Sequence, residues 1–312
     1  TSTMRFFANS IVMGILLVTT SQATADDVAG ASAPQSEKRE AELAGKSVIY
    51  KHSAGKPRRM EIFSPPNHDP SKSKVPGLIL FHGGAWAGGS LDQFRVACSY
   101  FASRGLVCAT AEYQMLNAKD AKQLPPGETR KRVCITDAKS AIRWFKQHAV
   151  ELGVDSERII TGGGSAGGHI SVLATTNPGL NDPADPAGID THVAAYLLFN
   201  PAFALDDSND PEVDVRKYLK VKLPPAIVFF GDQDQWKKGW DLALSDLKTA
   251  GNKTTEVYLA IGQAHGFFNK DPWRTTTLIA ADRFLVQQGF LSGEPTLKAP
   301  ATGEKLVAEK QE

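Results

Sequence analysis

The pentapeptide Gly163-Gly164-Ser165-Ala166-Gly167 sets a serine among small residues, directly after the apolar run Arg158-Ile159-Ile160-Thr161 and before a stretch with helical spacing. A serine hydroxyl is a weak nucleophile unless it is held exposed beside a base. A sharp strand-to-helix turn does the holding, and small flanking residues let that turn form without clash. Ser165 is therefore the candidate nucleophile of an acyl-transfer site. Such a site needs a histidine to take the serine proton, an acid to orient that histidine, and backbone N–H groups to receive an oxyanion.

When the serine sits on such a turn, acid and base follow it in the chain in that order. Of the seven histidines, only His169, His192 and His265 follow Ser165. His169 is one helical turn past the serine, so its ring points away from the turn or caps the packing. His192 precedes a strand. His265 lies in the loop Gly262-Gln263-Ala264-His265-Gly266-Phe267-Phe268, where glycines allow the ring to swing over the edge of a sheet. It is the candidate base. Asp232 and Asp234 both lie at the C-terminal end of an apolar strand, where functional groups gather in open sheets. Asp234, deeper in its loop, is preferred as the orienting acid; Asp232 reads equally as a turn residue capping its own backbone.

The segment Phe81-His82-Gly83-Gly84-Ala85-Trp86 supplies backbone donors with nothing bulky in front of them. Gly83 and Gly84, with Ala166 after the nucleophile, are the candidate oxyanion donors. His82 is expected to fix this loop by hydrogen bonding. Trp86 is a candidate wall of the substrate pocket or a packing residue, and Phe267, beside His265, is a second pocket candidate. Gly162-x-Gly164-x-x-Gly167 also satisfies a dinucleotide fingerprint. That fingerprint requires a second strand ending in an acid, and the chain instead continues into the loop Asn177-Pro178-Gly179-Leu180-Asn181-Asp182-Pro183.

The elements that must position these groups alternate. Leu78-Ile79-Leu80-Phe81 is a continuous apolar run, as in a strand buried on both faces. Helical spacing over 94–103 stops at Gly105, and strands follow at 106–113, 158–162, 193–199, 226–230 and 256–260. Helices are expected at 131–152, 166–176, 240–250 and 272–288, and two short strands at 48–50 and 60–63 flank a Gly-Lys-Pro turn. Repeated strand-then-helix units predict an α/β fold with a mostly parallel sheet and helices on both faces. Residues 114–130 and 201–225 break the rhythm and are either pocket walls or plain surface connections.

The chain has 312 residues, 42% hydrophobic and 22% charged, which fits one large domain expected over 48–291. Residues 1–25 read as an export signal: Arg5, the apolar stretch 11–18, then Ala23-Thr24-Ala25 as a cleavage site. The apolar stretch is far short of the roughly 20 residues that span a bilayer. Residues 26–47 are expected to be a mobile lead-in and 292–312 a loose polar tail. Without the leader the charges balance at 34 of each sign, and no basic block offers a nucleic-acid footprint. Cys98, Cys108 and Cys134 fall in apolar surroundings and are expected as small buried residues, though one bridge could form.

The joint occurrence of His82-Gly83-Gly84-Ala85-Trp86, Gly163-Gly164-Ser165-Ala166-Gly167-Gly168, Asp234 and His265 resembles the α/β-hydrolase esterases of the hormone-sensitive-lipase and acetyl-ester-hydrolase type. The resemblance covers about 48–290. It implies a three-layer α/β-hydrolase fold and a serine carboxylesterase with Ser165, Asp234 and His265 as triad. It favours Asp234 over Asp232, because the family's acid commonly stands three residues after the glycine ending its strand, here Gly231. The chain departs from the family where many members carry Asp-Tyr-Arg-Leu-Ala-Pro; it has Glu112-Tyr113-Gln114-Met115. The helical cap of lipase-like members is not evident before Val48, which implies an open pocket and short acyl groups.

The expected activity is an exported esterase acting on short-chain, for example acetyl, esters of small molecules or glycans, with no metal or cofactor in the chemistry. A serine peptidase of prolyl-oligopeptidase type and a non-catalytic binding protein on the same fold are the alternatives. The first would bring an extra β domain; the second would not need an intact Ser, Asp and His.

Overall fold

The computed structural model describes residues 45–207 and 209–309. The expected export signal and most of the lead-in lie outside the described residues. Among the described residues, nine strands form one sheet: β1 (Lys46–Ser53), β2 (Lys56–Phe63), β3 (Val75–Phe81), β4 (Val107–Ala111), β5 (Val154–Gly164), β6 (Ala195–Phe199), β7 (Ala226–Gly231), β8 (Thr255–Ala260) and β9 (Leu306–Ala308). Their order across the sheet is β1-β2-β4-β3-β5-β6-β7-β8-β9. The ladders from β4 through β8 are parallel; β1, β2 and β9 run antiparallel at the two edges.

Strand side chains alternate between two cores, as the two-residue period requires. Ile79, Phe81, Val228 and Phe230 enter one core, while Leu78, Leu80, Ile227 and Phe229 enter the other. Helices α3 (Arg130–Gln147), α5 (Ala166–Thr176) and α7 (Lys237–Thr249) cover the first face. Helices α1 (Asp92–Ser103) and α8 (Trp273–Gln287) cover the second. The described residues also hold three one-turn helices: α2 (Ala118–Ala121), α4 (Ala149–Leu152) and α6 (Val215–Tyr218). The result is the three-layer α/β-hydrolase architecture. No helix among the described residues is long and apolar enough to cross a membrane.

Three expectations need correction. The helix expected over 131–152 ends at Gln147, because His148 leaves helical geometry and its Nδ1 bonds the Trp144 carbonyl at 2.8 Å. The tail expected to be loose returns to the sheet: Leu306–Ala308 pairs with Tyr258–Ala260. An edge strand exposes unpaired backbone groups, and even a three-residue segment can satisfy some of them. The two N-terminal strands are longer than expected and turn at Ala54-Gly55 rather than at Gly-Lys-Pro. The three cysteines are buried, and none is paired.

The chain runs from β3 to β4 on one side and then crosses to β5 on the other. This reversal opens a crevice at the C-terminal ends of the parallel strands, where open α/β sheets bind ligands. Ser165, at the end of β5, stands beside it.

Candidate active site

Ser165 joins β5 to α5 with φ 52° and ψ −117°, a backbone state that costs of order 1–3 kcal/mol outside glycine and persists only where its surroundings enforce it. They do so here. The Ser165 N–H donates to the Phe199 carbonyl at 3.0 Å, and the Ser165 carbonyl accepts from Ala202 N–H at 2.9 Å and from His169 N–H at 3.2 Å. The helix start packs on β3 so closely that a Cβ at Gly167 would lie 1.9 Å from the Phe81 carbonyl oxygen.

The hydroxyl so presented meets His265. Ser165 Oγ and His265 Nε2 are 2.8 Å apart, and His265 Nδ1 is 2.7 Å from Asp234 Oδ2. A carboxylate only accepts, so Nδ1–H donates to Asp234 and leaves the Nε2 lone pair for the serine proton. Asp234 is fully buried at its side chain, and its second oxygen accepts the Trp236 N–H at 2.9 Å. Asp232 does something else: its Oδ1 accepts the Gly262 N–H at 2.7 Å and ties β7 to the start of the His265 loop. Of the two aspartates, Asp234 is the one hydrogen-bonded to His265.

The other histidines fall where packing puts them. His169 is fully buried, donates to the Val213 carbonyl and accepts the Trp86 indole N–H at 3.3 Å. Burial, aided by the Lys131 ammonium, pushes its pKa down to about 3. His82 bonds the Gly83 carbonyl through Nδ1 at 2.7 Å and stacks on Tyr113, so it braces the glycine loop as expected. Burial lowers its pKa too. His192 stands on the surface beside Asp190.

That loop turns back sharply after β3. Gly84 has φ +123°, and a Cβ there would lie 2.2 Å from the Gly88 carbonyl oxygen. Among the described residues, the N–H groups of Gly84, Ala85 and Ala166 donate to no protein acceptor. Gly83 differs from its expectation: its N–H already donates to Gln93 Oε1 at 2.6 Å. Ala85 was not foreseen.

A cavity of about 440 Å³ opens over these groups. Its walls include Trp86, Gln93, Asn200, Ala202, Trp236, Phe268 and Asn269. Trp86 thus lines the cavity and packs as well, its indole edge-on to Trp236 and beneath Lys131. Phe267, expected at the pocket, is not part of the wall. It is buried against Trp273, and its neighbour Phe268 takes the place, wedged against Phe94 and Phe199. Of the two irregular segments, 201–225 contributes Ala202 and 114–130 contributes nothing. Where the family's arginine is replaced by Gln114, the backbone N–H of that residue is held by the buried Asp137 carboxylate at 2.8 Å. Gln93, Asn200 and Asn269 carry no motif. Only Asn200 leaves a sequence trace, at the C-terminal end of an apolar strand.

The BD-FAE family model matches residues 60–200. The chain is 30% identical to esterase LipI of Mycobacterium tuberculosis over 66% of this chain and 69% of LipI. It is 33% identical to the probable carboxylic ester hydrolase LipM of that organism over 46% of this chain, and spans only about a third (32%) of LipM's length. The propionate-bound esterase 2 of Thermogutta terrifontis superposes with a TM-score of 0.73 at 33% identity, covering 81% of this chain and 98% of that one. A further structure of that esterase is phosphonylated by cyclosarin. The chain belongs to the hormone-sensitive-lipase-like serine esterases of the α/β-hydrolase fold.

Proposed function

We propose that this chain is a carboxylic ester hydrolase working through an acyl-enzyme on Ser165. The observation that carries this is the unbroken hydrogen-bonded line from Asp234 through His265 to Ser165. As Ser165 Oγ attacks the ester carbonyl, its proton passes to His265 Nε2, and Asp234 stabilises the imidazolium. The carbonyl oxygen becomes an oxyanion facing the free N–H groups of Gly84, Ala85 and Ala166; each such donor lowers the barrier by about 3 kcal/mol. Collapse expels the alcohol, which takes the proton from His265. Water then attacks the acyl carbonyl while giving a proton to the same nitrogen. Collapse of that second tetrahedral intermediate breaks the acyl–Oγ bond, releases the acid and returns the proton from His265 to Ser165 Oγ.

Short acyl groups fit this reading best. The cavity is modest, Phe268 and Trp86 are among its lining residues, and a propionate-bound relative shares the fold. The alcohol carried by the substrate is that of a small molecule or of an acetylated glycan. The N-terminal leader supports export.

The test is turnover of p-nitrophenyl esters of increasing acyl length. Wild type should favour acetyl to butyryl, and Ser165→Ala should lose at least about 10⁴-fold in kcat. An alanine variant with wild-type turnover would remove the proposal.

A further inference from the structure

Gly83 N–H, Gln93, Asn269 and Gly266 form one line of hydrogen bonds across the mouth of the site. Gln93 lies in the first turn of α1 and is half-buried. Its Oε1 accepts the Gly83 N–H at 2.6 Å, and its Nε2 donates to Asn269 Oδ1 at 2.9 Å. Asn269 Nδ2 donates in turn to the carbonyl of Gly266, next to the base, at 2.9 Å. The Gly266 N–H is held from below by Asn200 Oδ1 at 3.0 Å. Both amide orientations are fixed by this pattern. Flipping Gln93 would face its NH₂ against the Gly83 N–H and its oxygen against Asn269 Oδ1.

We infer that Gln93 is a positioning residue that sets the spacing between the glycine loop and the His265 loop. The inference rests on the esterase reading above. The oxygen of Gln93 sits between the two halves of the chemistry: it would lie 3.1 Å from a Cβ at Gly164 and 3.5 Å from one at Gly83. From there it holds the first glycine of the loop, which leaves the next two N–H groups turned toward the substrate. Through Asn269 it holds the far side of His265. The strap joins residues 176 positions apart, and no backbone pairing in the sheet links the two loops. Its chemistry also suits the reaction. A neutral amide holds the loop without placing a negative charge beside a developing oxyanion, as a carboxylate would.

A strap of this kind acts on the transition state more than on ground-state binding, because loop misplacement by a fraction of an ångström weakens groups already aimed at the oxyanion and the proton. Gln93→Met keeps the length and loses both bonds. Asn269→Ala, at an exposed position, removes the far end without disturbing the core. Both variants and their combination are compared with wild type and Ser165→Ala on p-nitrophenyl acetate, with thermal midpoints measured in parallel. The inference expects Gln93→Met to lower kcat by about fivefold or more with KM within about twofold. It expects the double variant to be no worse than Gln93→Met alone, since two ends of one strap are lost once. A smaller loss, an increase in kcat, or losses that multiply would overturn it. If Gln93→Met does not fold, Asn269→Ala decides: a fall in kcat of about threefold or more at unchanged KM supports the strap, and a smaller change overturns it. An inactive wild type would instead remove the esterase reading beneath it.

Discussion

The turn that carries Ser165 is packed backbone against backbone, whereas the loop that carries His265 is packed so only where Gln263 and Ala264 cross Gly231, and is held further on by side chains. At the turn, Gly167 has no room for one more carbon beside the Phe81 carbonyl. In the loop, a Cβ at Gly262 would meet no atom within 4 Å. Alongside a backbone bond from Gln233 N–H to the Gln263 carbonyl at 3.0 Å, the loop is held by Asp232, Asp234, Asn200 and the Gln93–Asn269 strap. The nucleophile is thus fixed by sterics that tolerate no change. The His265 loop is held largely by side-chain hydrogen bonds, each of which can be removed by itself. That division suits the chemistry, because the serine must be held in a strained backbone state while the imidazole must shuttle a proton.

Substitutions on the two sides should behave differently. Asp234→Asn attacks the base side at its strongest bond. It should cost about 10⁴-fold in kcat, because the amide's NH₂ imposes the wrong tautomer on His265, while leaving the thermal midpoint near wild type. Single-turnover and calorimetric measurements on one preparation check both halves. Gly167→Ala attacks the turn. A carbon 1.9 Å from a carbonyl oxygen forces helix and strand apart, so it should lower stability by about 3 kcal/mol and kcat by roughly 10²-fold together. Urea denaturation alongside kinetics would show the pairing; a loss of activity with full stability would erase the distinction drawn above.

His169 lies in the first turns of the helix that follows the turn, on its buried side, and is neutral in the fold, with a pKa pushed by burial from 6.5 to about 3. The unfolded chain binds its proton near pH 6.5 and the native chain does not, so stability falls as pH drops from about 6.5 toward about 3. The slope from this one group approaches about 1.4 kcal/mol per pH unit inside that window. Urea midpoints at pH 7 and pH 5 should diverge more in wild type than in His169→Gln. Equal divergence would mean that His169 takes up its proton in the fold. The smallest effect belongs to Asp232→Ala, which removes one exposed hydrogen bond at the root of the base loop: less than about 1 kcal/mol of stability and kcat within about twofold. A large loss there would mean that the loop depends on its root as much as on its tip.

The same division explains what the sequence discloses. Parallel strands buried on both faces appear as unbroken apolar runs, so the parallel centre of the sheet is readable from apolar pattern and the main helices from their spacing. The turn at Ser165 and the glycine loop are readable too, because backbone sterics demand small residues at fixed spacing. His265 follows from chain order and flanking glycines. The strap is not readable. Gln93 and Asn269 meet across 176 positions through side-chain atoms, and neither residue type is rare enough to signal a role. Phe267 and Phe268 differ by one step in a tight turn, and only the packing of Phe94 and Phe199 selects which of them faces the cavity. The returning strand at Leu306–Ala308 is too short for a period and forms because β8 leaves an open edge.

The most direct test of the nucleophile is covalent capture. The chain is treated with a fluorophosphonate, its intact mass is measured, and the modified peptide is sequenced. The account predicts one adduct per chain, on Ser165, formed in step with loss of ester hydrolysis and absent in Ser165→Ala. Hydrolysis that persists with Ser165 fully modified, or an inactivating adduct on another residue, would contradict it.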